Sequence, residues 1–124
     1  MKELLVVFIG GGMGSVTRYT LGRWVNSLHG HHFPYGTLVV NVVACLLIGL
    51  AIGFADHKQW IGPHARLLLV AGFCGGFSTF SAFSTETLQL MQQGHYTSNA
   101  LYVAGSVALC VLATWAGISI SRAL

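Results

Sequence analysis

The stretch Gly72-Phe73-Cys74-Gly75-Gly76-Phe77-Ser78-Thr79-Phe80-Ser81-Ala82-Phe83-Ser84-Thr85-Glu86 decides how this chain folds. It continues an apolar run that begins at Leu67, and no Asp, Glu, Lys or Arg occurs before Glu86. About 20 mostly apolar residues cross a bilayer as a helix, so the run reads as a membrane span. Two adjacent glycines followed by Ser-Thr are poor helix formers, however, and here they fall in mid-membrane. The stretch therefore predicts a helix broken at Gly75-Gly76. Such a break is tolerated where it lines a cavity or holds an ion, and its freed carbonyls suit a cation. The competing reading is a glycine-rich packing face in an unbroken helix.

Composition extends this reading to the whole chain. Of 124 residues 54% are hydrophobic and only 7% are charged, against roughly 25% charged in soluble domains. The segments 36–55 and 99–121 are also free of Asp, Glu, Lys and Arg. The first segment is shorter, since Arg18 and Arg23 follow an uncharged run from Leu4 to Thr17. It still reads as a span rather than a signal peptide, because a single Lys2 precedes a Gly-rich run without a cleavage pattern. The expectation is one all-α membrane domain over 1–124, with four transmembrane helices at about 4–26, 36–55, 67–92 and 99–121. Pro34 and Pro63 fall between spans, and Trp24, Tyr35, Trp60 and Tyr96 fall near their ends, where amphipathic rings favour the headgroup layer.

Charge and cysteine exclude other classes. The net charge is +3, from six cations and three anions, and the six cations are scattered over the span ends, which makes no nucleic-acid patch. Cys45, Cys74 and Cys110 all lie inside spans, are odd in number and form no C-x-x-C pair, so they read as small buried residues. His29-Gly30-His31-His32 has no second ligand cluster and reads as a polar loop rather than a metal site. Four spans put both termini on one side, with Lys2, Lys58, Arg66 and Arg122 there and Arg23 near the other. That small excess weakly favours cytoplasmic termini and leaves insertion in both orientations open. Four helices hardly enclose a path alone, and antiparallel dimerisation would supply a two-fold symmetry that larger transporters build from repeats.

Candidate residues recur at four-residue intervals, which place them on one helical face. Gly10, Gly14, Arg18 and Gly22 mark a close-packed side of the first span, with Arg18 either lining water and carbonyls or snorkelling to headgroups. Thr37, Asn41, Cys45, Gly49 and Gly53 mark a buried side of the second, where Asn41 serves as interhelical glue, as an anion donor, or as both. Phe80, Phe83, Ser84 and Thr87 share a face beyond the break. Ring edges carry the positive end of the aromatic quadrupole and can hold an anion beside hydroxyl or amide donors. Such a site binds weakly enough to permit exit. Tyr102, Ser106, Cys110 and Thr114 form a mostly hydroxyl stripe on the fourth span. Glu86 is the acidic residue placed within a span, near its end, with solvated, Arg-paired and proton-relay roles all open.

Three stretches carry a family resemblance: Gly10-Gly11-Gly12-Met13-Gly14-Ser15-Val16-Thr17-Arg18-Tyr19, Gly36-Thr37-Leu38-Val39-Val40-Asn41, and Gly72 through Phe83. Together they resemble the signatures of the Fluc/CrcB fluoride channels, over the whole chain. The resemblance implies a passive fluoride channel of the bacterial inner membrane, not an enzyme, working as an antiparallel, dual-topology homodimer in lipid. It implies two fluoride pores, a central structural sodium ion and no required protein partner. On this resemblance Gly75 and Ser78 give backbone carbonyls to sodium, Phe80 and Phe83 supply ring edges, and Asn41 faces the pore. Ser81 and Ser84 join the fluoride pathway, Tyr102, Ser106, Cys110 and Thr114 match a polar track, and Arg18 and Glu86 are vestibule or structural charges. Ala44, Ala82 and Cys110 stand where the family commonly has Gly, Thr and a hydroxyl. A small proton-coupled multidrug antiporter is the rival, and it would need a carboxylate deep in the first span, where this chain has none. A structural subunit of a larger complex fits the polar stripes poorly.

Overall fold

The computed structural model describes residues 1–30 and 32–124. All of its regular structure is helical, and four helical segments are long and apolar enough to cross a membrane. Helix α1 spans Lys2–Leu28 and α2 spans Tyr35–Asp56. The third crossing begins at Pro63, with proline in the first turn, where its missing N–H costs nothing. Its first part, α3, covers 63–77 in continuous helical backbone, with Leu67–Cys74 wound as a wider π-helix. Helix α4 (Phe80–Gln92) completes the crossing and α5 (Tyr96–Ala123) is the fourth.

The break exists, but not at the glycines. Gly75 is helical, with φ −63° and ψ −39°. The backbone leaves the helix at Ser78 (φ −73°, ψ 156°) and Thr79 (φ −149°, ψ 114°), and α4 restarts at Phe80. Thr79 is the N-cap of α4, and its hydroxyl oxygen accepts the Ala82 N–H at 3.2 Å. Threonine is favoured at that position because it satisfies an amide that the helix start orphans. The glycines do the other task foreseen for them. A Cβ on Gly76 would lie 2.9 Å from the Gly11 Cα, and one on Gly72 would lie 3.0 Å from the Gly10 Cα. The third crossing is thus both broken and glycine-packed, with the two properties at adjacent positions.

Small residues set both close helix pairs. Gly10 and Gly14 of α1 admit α3: a Cβ on Gly10 would meet the Leu68 carbonyl oxygen at 2.6 Å, and one on Gly14 would meet the Phe77 nitrogen at 2.8 Å. On α2, Gly49 and Gly53 admit α5, while Gly117 admits α2, with the Leu50 nitrogen 2.7 Å from its virtual Cβ. Helices α2 and α5 run parallel. Their contacts advance together along both chains, from Gly49 against Thr114, through Gly53 against Ile118 and Ser121, to His57 and Arg122. Where lipid removes the hydrophobic drive for helices to associate, such backbone approach supplies dispersion contact instead.

A small core of Val40, Ala44 and Phe77 sits where α2 meets α3, with Leu21, Val43 and Phe73 around it. Ala44 is buried, so its methyl is accommodated where the resemblance expects glycine. Phe8, Val16, Val111 and Trp115 are largely exposed, as suits side chains that face lipid. At one end Arg66 pairs with Asp56 at 2.7 Å, and Arg122 Nε donates to His57 Nε2 at 2.9 Å. These cations share the end at which the span count places them.

Candidate functional site

The site is organised around Thr79, because breaking the third crossing there releases backbone groups that neighbouring helices must satisfy. Asn41 on α2 meets that need as a peptide group would. Its Nδ2 donates to the Thr79 carbonyl at 3.1 Å, and its Oδ1 accepts the Thr79 N–H at 2.8 Å. In an unbroken helix the Thr79 amide would go to the Gly75 carbonyl and the Ala82 amide to the Ser78 carbonyl. Both amides are diverted, to Asn41 and to the Thr79 hydroxyl. The Gly75 and Ser78 carbonyls thereby lose the donors that a continuous helix would give them. The Gly76 carbonyl receives the Ser15 hydroxyl at 3.5 Å. The Ser78 hydroxyl donates back to the Cys74 carbonyl at 2.9 Å, so its hydrogen is committed within its own helix.

On one side of the break lies a cavity of about 250 Å³ that joins Asn41, Ser78, Phe80, Phe83, Ser106 and Cys110. The Phe80 and Phe83 rings have centroids 5.5 Å apart and planes inclined by 39°. Phe80 is 79% exposed, so one of its faces is open to whatever covers this chain. Besides the weakly donating thiols of Cys45 and Cys110, two polar groups here have a hydrogen to offer a ligand. One is Asn41, through its second amide hydrogen; the other is Ser106, whose buried hydroxyl has no hydrogen-bond partner among the described residues. The chemistry on offer is that of weak, uncharged donors and aromatic edges.

On the other side is a wider cavity of about 610 Å³, lined by Arg18, Asn26, Thr37, Ser81, Thr85 and Glu86 among others. Arg18 is half-buried there, and no hydrogen bond or ion pair holds its guanidinium among the described residues. Ser81 lies beside the Thr79 hydroxyl, with oxygens 3.2 Å apart, whereas Ser84 is exposed and lines neither cavity.

Glu86 has neither an arginine partner nor a purely solvated carboxylate. Oε1 accepts from the Thr37 hydroxyl and Oε2 from the Tyr102 hydroxyl, each at 2.7 Å. One carboxylate therefore ties α2, α4 and α5 together, and Tyr102 is fully buried beneath it against Phe83 and Phe33. Hydrogen bonds to a charged acceptor are about twice as strong as neutral ones. Thr37 was visible in the sequence only as a member of a four-residue stripe, and nothing in the sequence linked it to Glu86.

The stripe on α5 divides into three functions. Tyr102 serves Glu86, Ser106 and Cys110 face the smaller cavity, and the Thr114 hydroxyl bonds back to the Cys110 carbonyl at 3.1 Å beside Gly49. The Thr114 hydroxyl hydrogen is thus taken by its own helix. In the loop before α2, His29 Nδ1 lies 3.0 Å from the Val25 carbonyl and His32 stacks on His95, while His31 lies outside the described residues. Among the described residues no group of three His, Cys, Asp or Glu side chains is placed to hold a metal.

Four crossings, one of them broken and stitched to its neighbour between a wide polar cavity and a smaller, mostly apolar one, define a small multi-pass membrane protein. Residues 5–118 match the family described as CrcB-like protein, Camphor Resistance (CrcB), and the chain belongs to that family. It is 45% identical over 124 residues to a relative from Rhizobium etli, which covers 100% of this chain and 99% of the relative. It is 41% identical to one from Flavobacterium psychrophilum and 45% to one from Geobacter sulfurreducens, both matched over 100% of each chain. All three relatives are named Fluoride-specific ion channel FluC. Their names describe ion channels rather than enzymes.

Proposed function

We propose that this chain is a fluoride-selective channel of the bacterial inner membrane that lets cytoplasmic fluoride leave by passive flux. The observation that carries this reading is the full-length identity of 41–45% to proteins named as fluoride-specific channels. The geometry agrees with it. Phe80 and Phe83 edges, the free Asn41 amide hydrogen and the Ser106 hydroxyl surround a space suited to a small, hard anion. None of them carries a full charge, so binding stays shallow enough for exit. Arg18 in the wider cavity raises the local anion concentration at the entrance.

The working unit is an antiparallel homodimer with two pores. Its support is that Phe80 and Gly75 are exposed on the lone chain, so the smaller cavity lacks a wall that a second copy would supply. The small Lys/Arg asymmetry permits the two opposite orientations that such a dimer needs. A sodium ion at the two-fold axis fits the freed Gly75 and Ser78 carbonyls. Two copies would offer four oxygens, a donor set that suits a hard monovalent cation. When bound, the ion offsets the mutual repulsion of converging carbonyl dipoles. The chain's own part is to free those carbonyls and hold them still, through Asn41 and Thr79.

The deciding experiment is fluoride efflux from liposomes that contain only this protein, with chloride as the control anion. Rapid fluoride release with little chloride release is expected. Equal release of both anions, or of neither, would overturn the reading.

A further inference from the structure

We propose that Cys45 and Cys110 form a two-thiol site for a soft, thiophilic cation at the wall of the smaller cavity. The register of α2 and α5 carries the argument. Asn41 and Ser106 border the cavity one turn before the pair, and Gly49 meets Thr114 one turn after it. A Cβ on Gly49 would lie 3.1 Å from the Thr114 Cα, so the two backbones approach closely there. Cys45 and Cys110 lie one helical turn before Gly49 and Thr114, on the same step of this ladder. Both line the cavity with Phe80 and Phe83, both are half-buried, and both are free. Cys74, by contrast, is buried and lies outside that lining.

The ligand class follows from donor number and softness. Thiolates select Cu(I) and similarly soft cations over hard ones. No third or fourth ligating side chain joins the pair among the described residues, so a tetrahedral zinc site is not built. Cations content with two sulfur ligands, such as Cu(I), Ag(I) and Hg(II), match what is present. With Hg(II) two S–H bonds break, two Hg–S bonds form, and two protons leave to solvent. The bis-thiolate product is neutral and involves no electron transfer. With Ag(I) or Cu(I) the same exchange leaves one negative charge facing the cavity. Either product takes space between Cys110 and the phenylalanines, so the consequence for flux rests on the fluoride-channel reading, whereas binding itself does not.

The test titrates Hg(II) into the purified full-length protein and follows mercury–thiolate absorbance in the ultraviolet. One tightly bound ion per chain is expected, unchanged in Cys74→Ala and lost in Cys45→Ser and Cys110→Ser. Cys45→Ala covers the case in which serine disturbs the helix pair. Tight binding that survives in the Cys45→Ser/Cys110→Ser double variant would overturn the site. A second arm measures fluoride efflux before and after Hg(II), each variant against its own untreated rate. Loss of flux in the natural chain, reversal by excess thiol and resistance of the double variant are expected. Mercury held by the pair with undiminished flux would overturn its placement beside the pathway. A chain that binds mercury but carries no fluoride even untreated would defeat the functional reading and leave the thiol site standing.

Discussion

Asn41 and Thr79 pair as two peptide groups do, with N–H to oxygen contacts of 3.1 and 2.8 Å in opposite directions, across helices that are 38 residues apart in sequence. Removing the carboxamide strands a buried amide and a buried carbonyl. An unsatisfied buried group costs about 1–3 kcal/mol. Asn41→Ala should therefore lower stability in detergent by about 2 kcal/mol or more, read as a fall in midpoint temperature. Asn41→Asp keeps the acceptor for Thr79 N–H but loses the donor and adds negative charge beside the cavity. It should depress fluoride efflux more than stability, and equal flux to the natural chain would count against an anion path at this position.

Glu86, Thr37 and Tyr102 are predicted to behave as one unit. Tyr102→Phe removes a hydrogen bond to the carboxylate while keeping the ring against Phe83. A loss of about 1.5–3 kcal/mol is expected. In a double-mutant cycle with Glu86→Gln the two effects should fall short of additive by about 0.5–3 kcal/mol. Additive effects would show that the contact contributes nothing of its own.

The glycines divide by what a methyl would meet. Gly14→Ala places a Cβ against the Phe73 and Phe77 backbone, where no side chain can swing aside. It should separate α1 from α3 and prevent well-assembled protein. Around Gly105 nothing lies within 4 Å of a virtual Cβ. Gly105→Ala should leave assembly intact and gain about 0.5–1 kcal/mol from helix propensity. Size-exclusion profiles and thermal midpoints of the two variants give the comparison.

The aromatic pair should matter for flux and not for folding. Phe80 is mostly exposed, so Phe80→Ile removes little packing within the chain. If ring edges hold the anion, Phe80→Ile slows fluoride efflux and Phe80→Ile with Phe83→Ile abolishes it, with the dimer still formed. A well-assembled double variant that conducts normally would refute the role of the rings.

The sodium proposal depends on backbone alone. Ser78→Ala loses a hydroxyl that serves only the Cys74 carbonyl, and it should keep both ion and activity. At Gly75 the nearest atom to a virtual Cβ is the Val70 oxygen at 3.8 Å, which is ordinary contact within one chain. Gly75→Ala should therefore spare the fold and weaken the pairing of two chains. A two-fold axis with no cation density, in a well-resolved dimer grown in sodium, would remove the sodium and leave the fluoride pathway untouched.

Hydropathy by itself determined the four crossings, because lipid compatibility is a sum over consecutive residues. The helix ends then lie only a few residues beyond the uncharged runs, with Pro63 rather than Leu67 opening the third. The small-residue faces at Gly10, Gly14, Gly49 and Gly53 were legible for the same reason, since four-residue spacing is a local property. What only the tertiary structure decided is where the third crossing opens and what closes it. Propensity pointed to Gly75-Gly76, but a break in a membrane forms where its orphaned amides find partners. Asn41 and the Thr79 cap provide them three residues later. The Thr79 cap had a local signal, a threonine three residues before the amide that it serves. The grip of Thr37 and Tyr102 on Glu86, and the convergence of Cys45 and Cys110 on one cavity, had none. Each depends on the depth at which separate helices pass one another, a distance set by glycine contacts between crossings that no single stretch of sequence encodes.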